Sequence, residues 1–283
     1  MTLILNCVTP DIVLQASDRR LTWLRGPNKG TVADDESNKA ILIDGRVAFG
    51  YTGLAEVNSE RTDRWLLRTV ADGPTRNMAA VLNRIRDRAS EAFDQIHASR
   101  ADKRHAFLGA GWISEKGALV PASLIVTNAI RDGEWLERAE PEFWNSFEIH
   151  LEFRSGVVLR GAGQDISQED QRLVYRFLGR LAKRGAPLGA YTQGLIVAMR
   201  WLAKRYPKIG PGLLVQSIPR AAVERIARTG AMMALLGPAM EEHPTFLSVP
   251  SSGESAELYG PHIILGGRAA MDIRAGPLPP GVS

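Results

Sequence analysis

Short apolar runs, Leu3-Ile4-Leu5 within residues 2–9 and Ile12-Val13-Leu14 within 11–18, are separated by a Thr9-Pro10-Asp11 step. Such runs bounded by turn residues predict a pair of strands joined by a turn. A second pair, 39–43 and 46–51, flanks Asp44-Gly45, a strong two-residue hairpin signal. From about 60 to 98 the pattern turns helical. Its second piece starts at Pro74 and carries Met78, Val81, Leu82, Ile85, Ala89, Phe93 and Ile96 at helical spacing, a stripe that packs on a sheet. Strand patterns return at 105–114, 118–128, 146–154 and 157–161, with 131–145 read as a loop. Helices are predicted from Ser167 to about Lys183, where Ser167 and Asp170 resemble a capping box, and from about Pro187 to Tyr206. A strand follows at Leu213–Ser217. Strands that arrive in hairpins rather than alternating with helices argue for an α+β protein with antiparallel sheets, not a doubly wound one. Residues 1–267 read as a single domain with an extended polar loop at 26–37, and the Gly/Pro-bearing end, 268–283, as a disordered tail.

Composition narrows the class. The chain has 283 residues, 45% hydrophobic and 23% charged, with one cysteine. That is an ordinary globular balance, long enough for a sizeable core. A lone Cys7 excludes an internal disulfide framework and multi-cysteine zinc sites, and reads as a small buried hydrophobe. No run approaches a membrane span, and the apolar start is too short and interrupted for a signal peptide, so a cytoplasmic protein without membrane contact is expected. The net charge of +4 raises nucleic acid as a partner. The arginines, however, are spread along helices among acids, and no zinc-finger or RNP-like pattern occurs, so none is expected. The five histidines show no metal spacing, Gly161-Ala162-Gly163 lacks the rest of a phosphate loop, and no Gly-x-Ser-x-Gly elbow occurs. Neither metal nor cofactor is expected.

The candidate chemistry lies at the start. Thr2 follows the initiator methionine and is small enough for that methionine to be removed. A free N-terminal threonine carries a nucleophilic hydroxyl and a basic α-amine in one residue, and the amine titrates at roughly 7.7–8.0.

Two blocks carry a resemblance. Asp11-Ile12-Val13-Leu14-Gln15-Ala16-Ser17-Asp18-Arg19-Arg20-Leu21-Thr22 and Asn38-Lys39 through Gly53-Leu54-Ala55 resemble the early strands of proteasome β-type subunits. The chain is similar to a proteasome-like N-terminal-nucleophile (Ntn) hydrolase, closest in style to bacterial propeptide-free homologues. The match covers about the first 55 residues well and the rest in outline.

The resemblance implies a four-layer αββα sandwich, two stacked antiparallel sheets covered by helices. It places Thr2 on the nucleophile, Asp18 on the lysine partner, Lys39 on the activating lysine, Gly53 on the oxyanion-hole glycine and Arg20 on the structural arginine. On the substrate side, with Arg20, Thr22 lies on a strand to which an extended peptide could add, and Leu21, Tyr51 and Ala55 line the first specificity pocket. A lysine retained at the matching place is informative because the chain has 7 lysines against 28 arginines. Taken singly, Asp18 also reads as a solvated strand end and Lys39 as a snorkelling lysine.

The second half departs from the family. Active members carry Gly-Ser-Gly where this chain has Gly161-Ala162-Gly163, and an aspartate and serine where it has Lys208-Ile209-Gly210-Pro211-Gly212. Ser167 and Asp165 are candidate substitutes. Three readings stand: an N-terminal threonine amidohydrolase acting on peptides, a non-catalytic proteasome-like scaffold subunit, and an Ntn amidase acting on a small acylated molecule. The resemblance also implies a homo-oligomer, with a ring and an ATPase partner as further options that no residue supports.

Overall fold

The structure, a computed structural model, describes residues 3–23, 27–28, 31–34, 37–96, 104–136, 144–153, 158–163, 166–229, 244–249 and 258–275. The two expected hairpins at the start are present. Strands β1 (Leu3–Val8) and β2 (Ile12–Asp18) pair antiparallel, and the Thr9 hydroxyl closes their turn on the Ile12 backbone. The short strand β3 (Leu21–Thr22) pairs with β4 (Val32–Asp34), which lies within the stretch 26–37 expected as a polar loop. Next come β5 (Ala40–Ile43) and β6 (Val47–Thr52). Their turn takes three residues, 44–46, between the paired Ile43 and Val47, one more than the dipeptide signal implied.

After β7 (Glu56–Val57) and β8 (Glu60–Arg61) come helices α1 (Thr62–Ala71) and α2 (Met78–Asp94). Helix α2 begins four residues later than its Pro74 signal, because Asn77 is its cap and accepts from the Ala80 N–H at 3.3 Å. Long strands β9 (Ala106–Glu115) and β10 (Ala118–Thr127) follow. Part of the expected 131–145 loop is a hairpin, β11 (Ile130–Arg131) and β12 (Glu134–Trp135), turning on Asp132 and Gly133, both at positive φ. Then come β13 (Glu148–Phe153) and β14 (Val158–Gly163).

Helices α3 (Gln168–Lys183) and α4 (Leu188–Arg205) match expectation. Ser167 caps α3 by accepting from Asp170 N–H, and the Asp170 carboxylate accepts from the Tyr206 hydroxyl (2.6 Å) and Arg205. Strand β15 (Leu213–Pro219) runs straight into α5 (Arg220–Thr229), followed by β16 (Thr245–Val249), β17 (Leu258–Leu265) and β18 (Arg268–Ala275).

Strand β18 corrects the expected tail over 268–275. Gly266 and Gly267, both at positive φ, turn the chain so that Arg268 pairs with Leu265 and β18 returns along β17. Residues 276–283 lie outside the described residues.

The protein is thus mixed α+β. One sheet has the order β14-β1-β2-β15-β16, antiparallel throughout; the other, β13-β10-β9-β6-β5-β17-β18, is antiparallel except where β17 runs parallel to β5. Strand alternation sends successive residues to opposite faces. Leu3, Leu5, Cys7, Ile12 and Leu14 pack with Leu178, Leu195 and Met199 of α3 and α4. Phe49, Tyr51, Phe107 and Leu124 pack with Trp65 of α1 and Ile85 and Phe93 of α2. The other faces meet each other: Val8, Val13 and Ile218 share a core with Leu42, Ala48 and Trp112.

A polar seam crosses that meeting. Asn6, Gln15 and Gln216 are buried, and Gln15 Nε2 donates to Asn6 Oδ1 (3.0 Å) and to the Leu108 carbonyl (2.9 Å). Asn6 in turn donates to the Gly109 carbonyl (2.8 Å), so side-chain amides join β1 and β2 to β9. Among the described residues no helix is long and apolar enough to cross a membrane.

Candidate functional site

Residue Asp18 ends β2, and Lys39 immediately precedes β5, so the two sheets each bring one charge to the same place. Both side chains are fully buried, and Lys39 Nζ lies 3.2 Å from Asp18 Oδ1. The ammonium also donates to the Arg20 carbonyl at 2.5 Å. Asp18 Oδ1 accepts from the Arg20 N–H (2.9 Å), and Oδ2 accepts from the Leu3 N–H. One carboxylate therefore holds the lysine, the turn after β2 and the first described residue of β1. Burial pushes the Asp18 carboxyl upward from its ordinary value, opposed by the Lys39 charge and by the Leu3 and Arg20 N–H groups. Thr2, the expected nucleophile, lies outside the described residues, but Leu3, its covalent neighbour, is fixed by this carboxylate.

Gly53 follows β6 with φ +116°. A Cβ there would stand 2.6 Å from the Arg104 carbonyl and 2.7 Å from His105 Nδ1, so only glycine fits. The segment beyond it is clamped. The Leu54 N–H donates to His105 Nδ1 (3.1 Å), and Thr62 at the start of α1 holds the carbonyls of Leu54 and Ala55 through its hydroxyl and N–H.

The expected substrate-side residues differ in burial. Tyr51 is 2% exposed and packs under α1 and α2, stacked on His105 with ring centroids 6.1 Å apart, whereas Leu21 and Ala55 are half-buried. Burial raises the Tyr51 phenol well above its ordinary value, Asp63 adding to the effect. Leu21 and Thr22 pair with Asp34 and Val32, so one edge of the strand expected to receive a peptide is occupied by β4. Arg20 reaches the Pro207 carbonyl (2.7 Å), and its Cβ lies 2.7 Å from where a side chain on Gly210 would begin. The glycine at 210 lets that segment close on Arg20, and Arg19 N–H donates to the Gly212 carbonyl beside it (3.0 Å).

Register places the Gly161-Ala162-Gly163 segment. Gly163 pairs with Leu3 and Ala162 with Ile4, and Ala162 is buried among Ile4, Ala106, Leu108 and Ile125. No hydroxyl is offered there. Asp165 lies outside the described residues, and Ser167 is occupied as the cap of α3.

Two features escaped the sequence. His105 is fully buried among Tyr51, Phe93, Phe107 and Phe147, and burial lowers its pKa to about 3. It is neutral at ordinary pH, and accepting at Nδ1 leaves its proton on Nε2. Its signal was the pair His105 and Phe107, two apart on one strand face. The second feature is a buried pair, Asp63 Oδ2 and His262 Nε2 at 3.2 Å, joined by Arg61 at 3.1 Å and, through Arg61, by the Ser37 hydroxyl at 3.4 Å. Burial pulls the Asp63 carboxyl upward, but His262 and Arg61 outweigh it and hold the group below its ordinary value.

A buried ammonium held by a carboxylate can stabilise an oxyanion or alkoxide forming beside it, since a preorganised charge away from water acts at full strength. Models of known protein families match no part of this chain, and a search of curated proteins returns no match.

Proposed function

We propose that the protein is an N-terminal threonine amidohydrolase of the proteasome-like Ntn type, acting on peptides. The observation that carries this reading is the Asp18 carboxylate, which links the Leu3 N–H to the Lys39 ammonium and so sets a buried positive charge beside the start of β1. The two helix-covered sheets fit the four-layer αββα sandwich that the reading requires. In a cytoplasmic homo-oligomer with Met1 removed, the Thr2 hydroxyl attacks the amide carbonyl carbon and its proton passes to the Thr2 α-amine. Lys39 steadies the alkoxide, and the Gly53 N–H receives the tetrahedral oxyanion. The amine then protonates the departing nitrogen, leaving an acyl ester. Water, deprotonated by the same amine, attacks that ester, and the carboxylic acid leaves with Thr2 restored.

Intact mass and N-terminal sequencing before and after an epoxyketone or β-lactone probe test the reading. The expected chain starts at Thr2 and gains one adduct, which Thr2→Ala abolishes and Lys39→Ala strongly reduces. A chain that keeps Met1, or that starts at Thr2 and never reacts, overturns it. That outcome favours a non-catalytic scaffold subunit, for which buried Ala162, without the hydroxyl found in active relatives, is the supporting observation.

A further inference from the structure

The outer face of helices α3 and α4 concentrates charge that the chain as a whole does not. Residues 168–208 contain nine Lys and Arg against two acids, in a protein of net charge +4. One of the two acids, Asp170, is already engaged with Arg205. The remaining bases are exposed.

On α3, Arg172 and Arg176 stand half a turn from the buried Val174 and Leu178 and form the crest, with Arg180 continuing the row. On α4, Arg200 and Lys204 form a second row. Between the rows lies apolar surface. Phe177 packs against Gly194 of α4, since a Cβ on that glycine would meet its ring at 3.5 Å, which turns the Leu173–Phe177 stripe toward α4. Leu173 is 44%, Phe177 39% and Val197, one turn beyond Gly194, 56% exposed.

We infer that this seam docks an acidic amphipathic helix of a partner protein, a role separate from the site at Asp18 and Lys39. An apolar stripe on such a helix covers Leu173, Phe177 and Val197, and carboxylates on its flanks meet the two basic rows. A second copy of this chain is disfavoured, because it would bring like charges face to face. A flat anionic bilayer touches the arginine crest of α3 before the leucine and phenylalanine on its flank. Nucleic acid satisfies the bases but leaves the apolar stripe exposed.

The test titrates the full-length protein with a fluorescent synthetic helix about five turns long, leucines along one face and glutamates elsewhere. The expected result is one helix bound per chain. Binding weakens at least about tenfold in Arg176→Glu/Arg200→Glu and again in Leu173→Ser, with unchanged melting temperatures. Replacing the peptide's glutamates by glutamines removes binding. The inference is overturned if the acidic helix does not bind, or if neither variant weakens it. Tighter binding to phosphatidylserine vesicles or duplex RNA than to the peptide in the same buffer also overturns it. None of these readouts depends on hydrolysis.

Discussion

The imidazole of His105 accepts the backbone N–H of Leu54 at 3.1 Å, one residue beyond the glycine whose N–H is the candidate oxyanion donor. Because Nδ1 must stay unprotonated to accept, the shape of this loop depends on a neutral histidine. His105→Phe keeps the aromatic packing and removes the acceptor. It should speed hydrogen exchange at the Leu54 amide by about tenfold or more while leaving the rest of β6 and β9 protected, as amide-resolved exchange would report.

The same histidine sets an acid sensitivity. Its folded pKa of about 3 lies below the unfolded value near 6.5, so the unfolded chain binds the extra proton between those pH values. Its contribution to stability is complete above about pH 6.5 and is lost as pH falls toward 3, at up to about 1.4 kcal/mol per pH unit. Asp18, whose pKa is raised, has the opposite sign, its contribution being lost as pH rises from 3.8 through the folded value. Denaturant titrations of wild type and His105→Gln across this range should differ in slope, the wild type losing more on acidification. Equal slopes would remove the assignment.

Lys39→Ala leaves a carboxylate buried without its ammonium. Breaking a buried pair from one side costs about 3–5 kcal/mol, so urea unfolding should show a loss of that order. The double variant Asp18→Asn/Lys39→Met should recover part of it, and a cycle of the two changes should give strong coupling.

Two glycines at positive φ should separate on replacement by alanine. Gly185, after α3, has nothing within 4 Å of where a Cβ would stand, whereas at Gly53 a Cβ meets the Arg104 carbonyl. Gly185→Ala should cost about 1 kcal/mol, the conformational share alone. Gly53→Ala should cost about 1–3 kcal/mol or more. Probe acylation should slow only in the latter.

Deleting 268–283 removes β18 and exposes the edge of β17. The melting temperature should drop by more than about 4 °C, the shift that about 1–2 kcal/mol produces in a domain of this size. An unprotected edge should also increase aggregation. A truncation as stable as the full chain would mean that β18 contributes nothing.

Local signals were legible and distant ones were not. Short apolar runs between turn residues gave β1, β2, β5 and β6, and the Ser167 cap marked the start of α3. The joining of Asp18 and Lys39 came through resemblance, because no periodicity says which strand ends meet. Strand β18 was misread because Gly266-Gly267 looks the same whether it opens a tail or turns a hairpin, and the strand it pairs with decides. The contact between Asp63 and His262 spans 199 residues, which no window can register.

The order of strands has a consequence for synthesis on the ribosome. β1 and β2 lie between β14 and β15, and β5, which follows Lys39, lies beside β17. The amino-terminal segment therefore leaves the exit tunnel long before its neighbours in the sheets exist. Those non-local pairings make folding slow and late. The surroundings of Asp18 and Lys39 are completed only when β15 and β17 have emerged, which delays any activity of the nascent chain until then.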